Sequence, residues 1–411
     1  MKRIFVFVII FAFLIGFGCV DDKEKADSIG ATPQGISDVI DSNNKFAIDM
    51  YSQVKSEPGN IFFSPYSISS AFAIVYGGGD GQTADEIKQV FYFPEDTSKL
   101  RPNFAAIYND INFGGSDYEL QTANALWVQN NYPLLETYTK TVESYYGGKA
   151  NNVDFVGNTE GSRQEINSWV EQQTKNKIQN LFPAGSLNPL NRLVITNAIY
   201  FKGTWVKQFN KDYTRDAEFR VTPTQKVTVS MMQLTGENAD FDYTETDNIQ
   251  ILQMPYEGDK LSMLILLPKD DDISLVENEL SIENLNNWRK NLKQEKVYVY
   301  LPKFTFTKEY NLNNHLITMG MPSSFDAGKA DFSGMTNNRD LFINKVVHKA
   351  FVDVNEEGTE AAAATGIAFT LSASSYQEHY VFRADHPFIF LIQDTNSGNI
   401  LFIGRVNNPS S

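Results

Sequence analysis

The spacing of apolar residues divides this chain into two parts, and that division most constrains its fold. Residues 36–54 place apolar side chains three and four positions apart, as one face of a helix requires. A second helix is predicted to begin near Ser64-Pro65, because proline is favoured in the first helical turn. After Asn191 the chain changes to short runs rich in β-branched and aromatic residues, separated by turn residues. The sequence therefore predicts an α+β fold with one large mixed or antiparallel sheet.

The composition restricts the class of protein. At 411 residues, with 42% hydrophobic and 21% charged residues, the chain has the balance of a globular protein. The net charge of -15 and the lack of a Lys/Arg cluster argue against nucleic acid as a partner. No linker composition follows residue 36, so residues 36–411 are predicted to form a single domain.

The amino terminus has the features of an export signal. Lys2 and Arg3 precede the apolar run 4–17, which is shorter than a stable membrane span. Residues 1–18 are therefore predicted to be a signal peptide, and the mature protein to be extracellular or attached to the cell surface. Residues 19–35 are charged and rich in turn formers, so we expect a flexible tether there.

Cys19 is the only cysteine of the chain, which excludes an intrachain disulfide. The stretch Gly16-Phe17-Gly18-Cys19 resembles a prokaryotic lipoprotein box, in which the cysteine carries lipid after cleavage, although Phe17 departs from the small residue usual there. The resemblance implies a lipid anchor to the membrane at Cys19. The alternative is a cysteine that is discarded with the signal peptide.

No constellation of residues indicates catalysis, a metal or a cofactor. The four histidines have no metal-ligand spacing, and nucleophile-elbow, P-loop and dinucleotide motifs are absent from the sequence. The glycine-rich stretch 77–81 follows a helical pattern and is interpreted as a loop, and the three aspartates 270–272 as a solvated turn. We predict that the protein is not an enzyme, has no catalytic residues and binds no metal.

One stretch near the carboxyl terminus has the alternation of a strand but no hairpin partner. After Gly358 every second residue is small or apolar, and none of them is charged. These positions are Thr359, Ala361, Ala363, Thr365, Ile367, Phe369 and Leu371. The one charge between residues 359 and 375, Glu360, has the opposite parity. The pattern predicts a strand with one face that can be buried, outside any obvious sheet.

Five strings occur together in the order found in one family. They are NIFFSPYSISSAFAIVYGGGDGQTADEI at 60–87, ITNAIYFKGTW at 195–205, MGMPSSFDAGKADFSGM at 319–335, VVHKAFVDVNEEGTEAAAAT at 346–365 and FRADHPFIFLI at 382–392. Residues 36–409 thereby resemble the serpins, the serine protease inhibitors. The resemblance implies one monomeric domain of three β-sheets and eight or nine helices, with an exposed reactive-centre loop at about residues 358–380.

The resemblance also implies a suicide mechanism with a target serine protease as covalent partner. The protease cuts the loop, remains attached as an acyl-enzyme, and is displaced when the cut loop inserts into the main sheet. Insertion would begin at a hinge formed by Gly358, Thr359, Glu360, Ala361, Ala362, Ala363 and Ala364. Burying Ile367, Phe369 and Leu371 would then contribute about 1.5–3 kcal/mol each.

Family spacing places the reactive bond between Ser372 and Ala373, with a bond after Leu371 as the alternative. A Ser-Ala bond suits elastase-like or subtilisin-like proteases with small primary pockets, whereas Leu371 or Phe369 suits chymotrypsin-like ones. Trypsin-like proteases are disfavoured, because no Arg or Lys lies between residues 359 and 377.

Two further groups of residues follow from the resemblance. Ser64, Ser67, Asn197 and His348 match the shutter, a hydrogen-bonded cluster beneath the point where the sheet parts. Trp205, Lys303 and Glu356 match the breach, where the loop first enters; Lys303 and Glu356 are expected to form an exposed ion pair that positions the strands.

Two other functions stay open at this point. A non-inhibitory serpin would act as a carrier or chaperone-like binding protein, and loop cleavage would then not raise its melting temperature. An enzymatic role would require a catalytic group, and the motifs suggest none.

Overall fold

The computed structural model describes residues 25–113, 117–359 and 379–411. Ten α-helices occur in these ranges, one more than the upper number that the sequence comparison implied, and the last is a single turn. They are α1 (Pro33–Val54), α2 (Pro65–Tyr76), α3 (Gly81–Phe91), α4 (Thr97–Phe113), α5 (Glu136–Tyr146), α6 (Thr159–Gln173), α7 (Ser274–Glu279), α8 (Ile282–Asn291), α9 (Asn313–Met319) and α10 (Ser333–Thr336).

Sixteen strands occur in the same described ranges. They are β1 (Ile61–Phe63), β2 (Tyr118–Gln129), β3 (Lys149–Val153), β4 (Leu193–Thr204), β5 (Arg215–Thr222), β6 (Gln225–Leu234), β7 (Asp240–Glu245), β8 (Ile249–Pro255), β9 (Leu261–Pro268), β10 (Lys293–Pro302), β11 (Phe304–Asn311), β12 (Ile343–Asn355), β13 (Gly358–Thr359), β14 (Tyr380–Arg383), β15 (Phe388–Asp394) and β16 (Ile400–Val406).

The strands of the described ranges form three sheets, two of which share β10. A six-stranded sheet has the order β11-β12-β13-β4-β2-β3. The other strands run β1-β16-β15-β9-β8-β7-β10-β6-β5, with β14 also paired to β10. The first four residues of β10 pair with β7 and its later residues with β6 and β14, so β10 passes from one sheet into the next. The predicted α+β class with a large mixed sheet is confirmed.

The six-stranded sheet is covered on both faces. On one face Ile166 and Val170 of α6 pack against Trp127 and Ala198. On the other face α2, which is buried along its whole length, contacts β2, β4 and β16. Ser64 caps α2 by accepting a hydrogen bond from the Ser67 backbone N–H (3.1 Å), so the helix begins where the Ser64-Pro65 signal predicts.

Three sequence expectations differ from the structure. The flexible tether predicted for residues 19–35 is wrong in its carboxyl-terminal part, because residues 26–32 hydrogen-bond to α4 and α5 and α1 begins at Pro33. The aspartate turn is not wholly solvated, since Asp271 forms an ion pair with Arg220 at 2.7 Å. The strand β2 lies in the half of the chain where helical patterns dominate.

Residues 77–80 of the glycine-rich stretch join α2 to α3 as a loop, whereas Gly81, predicted in the same loop, is the first residue of α3. Among the residues that the structure describes, no helix combines the length and the apolar character needed to cross a membrane. The predicted signal peptide, residues 1–18, and the predicted lipid-attachment residue, Cys19, lie outside the described residues.

Candidate functional site: the divided end of the six-stranded sheet

The two central strands of the six-stranded sheet pair along only part of their length. β12 and β4 run parallel and pair directly from Ile343–Leu193 as far as Ala350–Ile199. Beyond that point they diverge, and the short strand β13 lies between their ends. Among the described residues, no strand occupies the space between residues 351–353 of β12 and residues 200–202 of β4. The sheet is therefore already divided at this end.

Gly358 occupies the narrowest position at the entrance to this space. Its φ is +154°, and a Cβ placed on it would lie 2.0 Å from the carbonyl oxygen of Gly203 and 2.8 Å from the Cα of Thr204. A side chain cannot be accommodated so close to a neighbouring backbone, so the position requires glycine. The flexible first hinge residue that the sequence predicts is thus also a steric requirement of the sheet.

Thr359 is the second residue of β13 and the last described residue before the segment 360–378. It pairs with Val354 on one side and Gly203 on the other, and only 1% of its surface is exposed. Its Oγ1 lies 2.7 Å from Oη of Tyr256, whose pKa is raised by burial. The structure therefore turns the side chain of Thr359 inward, and the hydroxyl has a partner there.

Trp205 forms the floor of the entrance. It is buried, stacks on Tyr256 with ring centroids 4.4 Å apart, and donates a hydrogen bond from Nε1 to the Asn355 carbonyl at 3.1 Å. Its backbone N–H donates to the Glu357 carbonyl at 2.9 Å. Both bonds fix the turn between β12 and β13, so Trp205 positions this turn as well as filling the core.

Lys303 and Glu356 form the ion pair that the sequence comparison implies, at 2.8 Å, but its environment differs from the expectation. The Glu356 side chain is only 4% exposed, whereas that of Lys303 is 40% exposed. Burial alone would raise the pKa of Glu356, yet hydrogen bonds from Lys303, from the backbone N–H of Glu356 itself and from Thr214 at 2.8 Å together outweigh burial and hold that pKa below its ordinary value. The pair was predicted to be exposed, and the carboxylate half is buried.

The four predicted shutter residues contact one another beneath the region where β4 and β12 still pair. Asn197 Nδ2 donates to the Ser67 backbone oxygen at 2.8 Å and to its Oγ at 2.7 Å. The Ser64 backbone N–H donates to His348 Nε2 at 3.1 Å, while Nδ1 of the same ring contacts Asn197 Oδ1. The Ser64 hydroxyl donates to the Leu401 carbonyl at 2.6 Å. One buried network thereby joins four elements, namely β4, β12, α2 and β16.

The contacts of His348 fix its protonation state. Because Nε2 accepts from a backbone N–H, the ring proton is carried by Nδ1, which can donate to Asn197. Complete burial lowers the pKa of His348 to about 3, so the neutral form holds the network together at neutral pH. Protonating His348 would replace an acceptor by a donor opposite Ser64 and disrupt the network.

Asn124 of β2 belongs to the same network, but the family resemblance did not identify it. Its Oδ1 accepts from Asn197 Nδ2 and, at 3.3 Å, from the Ser67 hydroxyl. It is 4% exposed. The only sequence signal is a polar residue inside an apolar strand, which indicates a buried partner without identifying it.

The remaining predicted site residues lie outside the described residues, in the segment 360–378. They are the hinge residues Glu360, Ala361, Ala362, Ala363 and Ala364 and the reactive-bond residues Leu371, Ser372 and Ala373.

A family model described as "Serpin (serine protease inhibitor)" matches residues 41–409. This chain is a serpin. A serpin-like protein of Methanosarcina acetivorans is 43% identical over 373 residues, 90% of this chain and 86% of the relative. The horse leukocyte elastase inhibitor is 41% identical over 377 residues, 90% of this chain and 98% of the relative. The predicted membership of the serpin family is thus confirmed, and the Methanosarcina relative is archaeal.

The serpin fold is confirmed by solved structures. Human thyroxine-binding globulin complexed with thyroxine superposes with a TM-score of 0.83 at 30% identity, covering 91% of this chain and 99% of the globulin. The relatives of this serpin thus include both a leukocyte elastase inhibitor and a thyroxine-binding globulin.

Proposed function

We propose that this serpin inhibits serine-type endopeptidases by inserting its cleaved loop between β4 and β12. The observation that carries the proposal is the position of β13. Gly358 and Thr359 already lie between the two strands, antiparallel to both, and the space beyond them continues in the same register. A chain that continued from Thr359 in this direction would add to the sheet residue by residue.

The covalent step follows from the chemistry of the target. The protease serine Oγ attacks the carbonyl carbon of Ser372, forms an ester, and the bond to the Ala373 nitrogen breaks as that nitrogen takes up a proton. Cleavage frees residues 360–372 from their carboxyl-terminal connection. They can then insert while the ester carries the protease with them, and water hydrolyses the ester only if insertion is slow.

Insertion requires β4 and β12 to separate where they still pair, from Ile343 to Ala350. The shutter network crosses this boundary through His348 and Asn197. A fully paired buried network resists opening, whereas the formation of about ten new ladder hydrogen bonds, at about 0.5–1.5 kcal/mol each, favours it. The shutter therefore holds the sheet closed until cleavage releases the loop.

The composition around the reactive bond supports elastase-like or subtilisin-like targets, with chymotrypsin-like proteases if the bond after Leu371 is used. The similarity to a leukocyte elastase inhibitor agrees with the first choice. Both bonds lie in the segment that the structure leaves undescribed, so the target class is inferred from residue chemistry.

The test is to incubate the purified protein with elastase, subtilisin or chymotrypsin and to separate the products on a denaturing gel. A band at the summed mass of the two proteins, absent when the protease serine has been chemically blocked, is the expected result. The mass of the released carboxyl-terminal fragment identifies the bond. Cleavage of the loop with full survival of protease activity would refute the proposal.

A carrier function is the second candidate, because thyroxine-binding globulin shares the fold over nearly its whole length. In that case loop cleavage would leave the melting temperature unchanged, since no strand would be inserted. An inhibitor should instead become markedly more heat-resistant after cleavage. Calorimetry on intact and cleaved samples separates the two functions.

We further propose that the protein is exported and anchored to the membrane through lipid on Cys19. The apolar run 4–17 and the position of Cys19 directly after it support this. Expressed in a host that processes lipoproteins, the full chain should incorporate labelled fatty acid, and Cys19→Ser should not. Equal incorporation by the two chains, or none by the unmodified chain, would refute lipid attachment at Cys19.

A further inference from the structure

Residues 25–32, called the N-terminal strap from here on, run along the surface and hydrogen-bond to α4 and α5 near their two ends, while Ile29 in the middle is exposed. The side-chain amide of Asn109 holds Ala26 by both of its backbone groups. Nδ2 donates to the Ala26 carbonyl at 2.8 Å, and Oδ1 accepts from the Ala26 N–H at 2.7 Å. The next N–H, of Asp27, donates to the Ser144 carbonyl of α5 at 2.6 Å. One amide thus pairs with the strap as a neighbouring strand would.

Side-chain packing fixes the same segment. Ala26 is 7% exposed and forms a small apolar cluster with Ala105 and Tyr108 of α4. At the other end of the strap, the Thr32 N–H donates to Asn103 Oδ1 at 2.9 Å. A Cβ on Gly35 would lie 2.1 Å from Asn103 Nδ2, so a side chain there would displace the Asn103 amide that holds Thr32. The strap is therefore seated at both ends.

The strap connects parts of the fold that insertion would move apart. It leads into α1, which packs on β16; β16 pairs with β1, and β1 contacts β12. Its partners α4 and α5 contact β2 and β3, on the β4 side of the gap. A strand that enters between β4 and β12 must separate them by about 4.8 Å. The strap, together with the direct packing of α1 on α4, spans this movement on the outside of the fold.

We propose that the N-terminal strap stabilises the closed sheet and limits the rate at which β4 and β12 separate. The proposal rests on the inhibitory mechanism above. It adds a second restraint, which acts from the surface helices, to the shutter network at the centre of the sheet. The strap is set immediately after the predicted anchor region, so the restraint and the attachment site share one short segment.

The test compares two asparagine variants of the full chain. Asn109→Ala removes both hydrogen bonds to Ala26, whereas Asn112→Ala removes the same amide from the same helix at a position whose hydrogen bond, within the described part of the chain, stays inside α4, to the Tyr108 carbonyl at 2.9 Å. A synthetic peptide with the sequence of residues 359–371 probes the gap, and its incorporation is followed on native gels. We expect about tenfold faster incorporation in Asn109→Ala, which corresponds to about 1.4 kcal/mol, and less than twofold in Asn112→Ala.

Melting temperatures provide a second readout that a purely structural role would not give. Asn109→Ala should lower the melting temperature of the intact protein but not of the loop-cleaved protein. Ala26→Asp, which places a carboxylate against Tyr108, should do the same if Asn109→Ala does not fold. Equal losses in both forms, or equal peptide rates in the two asparagine variants, would overturn the strap proposal alone. If cleavage gives the unmodified protein no added heat resistance, the inhibitory mechanism fails and the strap proposal with it.

Discussion

Replacing Thr359 by arginine is the sharpest test of the insertion mechanism. In the structure the Thr359 side chain is 1% exposed, and its hydroxyl lies 2.7 Å from the Tyr256 hydroxyl between β12 and β4. Arginine at this position must either take its guanidinium out of water or keep β13 out of the gap. Either outcome delays insertion at its first residue.

The size of the effect follows from the cost of burying a charge. The penalty is several kcal/mol for an ion that finds no full complement of partners. Because about 1.4 kcal/mol is tenfold in rate, a cost of about 3 kcal/mol slows insertion by about a hundredfold. Hydrolysis of the acyl-enzyme would then precede insertion, so the variant should be cut as a substrate and should release active protease.

The assay is a titration of protease activity with increasing serpin, together with a denaturing gel. The unmodified protein should need about one molecule per protease, and Thr359→Arg more than about ten, by the same rate argument. Thr359→Ser keeps the hydroxyl and should retain inhibition. Glu360→Arg places the same guanidinium at the neighbouring position of opposite parity, and inhibition should survive.

An unchanged stoichiometry in Thr359→Arg would refute the reasoning, because the inward side of the inserting strand would then tolerate a charge. Loss of inhibition in Glu360→Arg as well would show that any added charge prevents insertion, whichever face of the strand carries it.

Three further predictions follow from the same region. Under the proposed mechanism, Gly358→Ala should be cleaved as a substrate without trapping the protease, because its Cβ would lie 2.0 Å from the Gly203 carbonyl oxygen; a covalent complex of normal yield on a gel would contradict this. The unfolded chain protonates His348 near pH 6.5 and the folded one near pH 3, so stability should fall as the pH drops through this window, by at most about 1.4 kcal/mol per pH unit. Urea unfolding of His348→Gln should show a flatter pH dependence, and an unaltered slope would exclude His348 as the cause. Asn124→Ala should lower the free energy of unfolding by about 1–3 kcal/mol, measured in urea, since it leaves a buried donor of Asn197 with fewer partners; a loss below 0.5 kcal/mol would remove Asn124 from the network.

Much of the fold was predictable because it depends on local patterns. Periodicity placed the helical half before Asn191, and the Ser64-Pro65 signal gave the start of α2. The strand β2 (Tyr118–Gln129) was not predicted from the sequence. Most of its residues are buried on both faces, so its side chains do not alternate clearly between apolar and polar. The strap was missed altogether, since a short polar segment has no periodicity, and its order comes from amides on α4.

The candidate site was likewise predictable only in part. Family strings identified Ser64, Ser67, Asn197 and His348, which the structure joins in one network. Asn124 was not found, because its role depends on β2 lying beside β4, a pairing between residues 73 positions apart. The burial of Glu356 likewise depends on Thr214 and Lys303, which approach it from distant parts of the chain.

The sequence by itself determined the family, the two-part distribution of helices and strands, and the series of uncharged alternate residues that begins at Thr359. Only the tertiary structure decided that β4 and β12 separate above Ala350, that Gly358 is sterically required, and that the N-terminal strap hydrogen-bonds to α4 and α5. The physical reason is that side-chain alternation and helix caps are properties of neighbouring residues. A gap between two strands is set by contacts between segments that are more than a hundred residues apart.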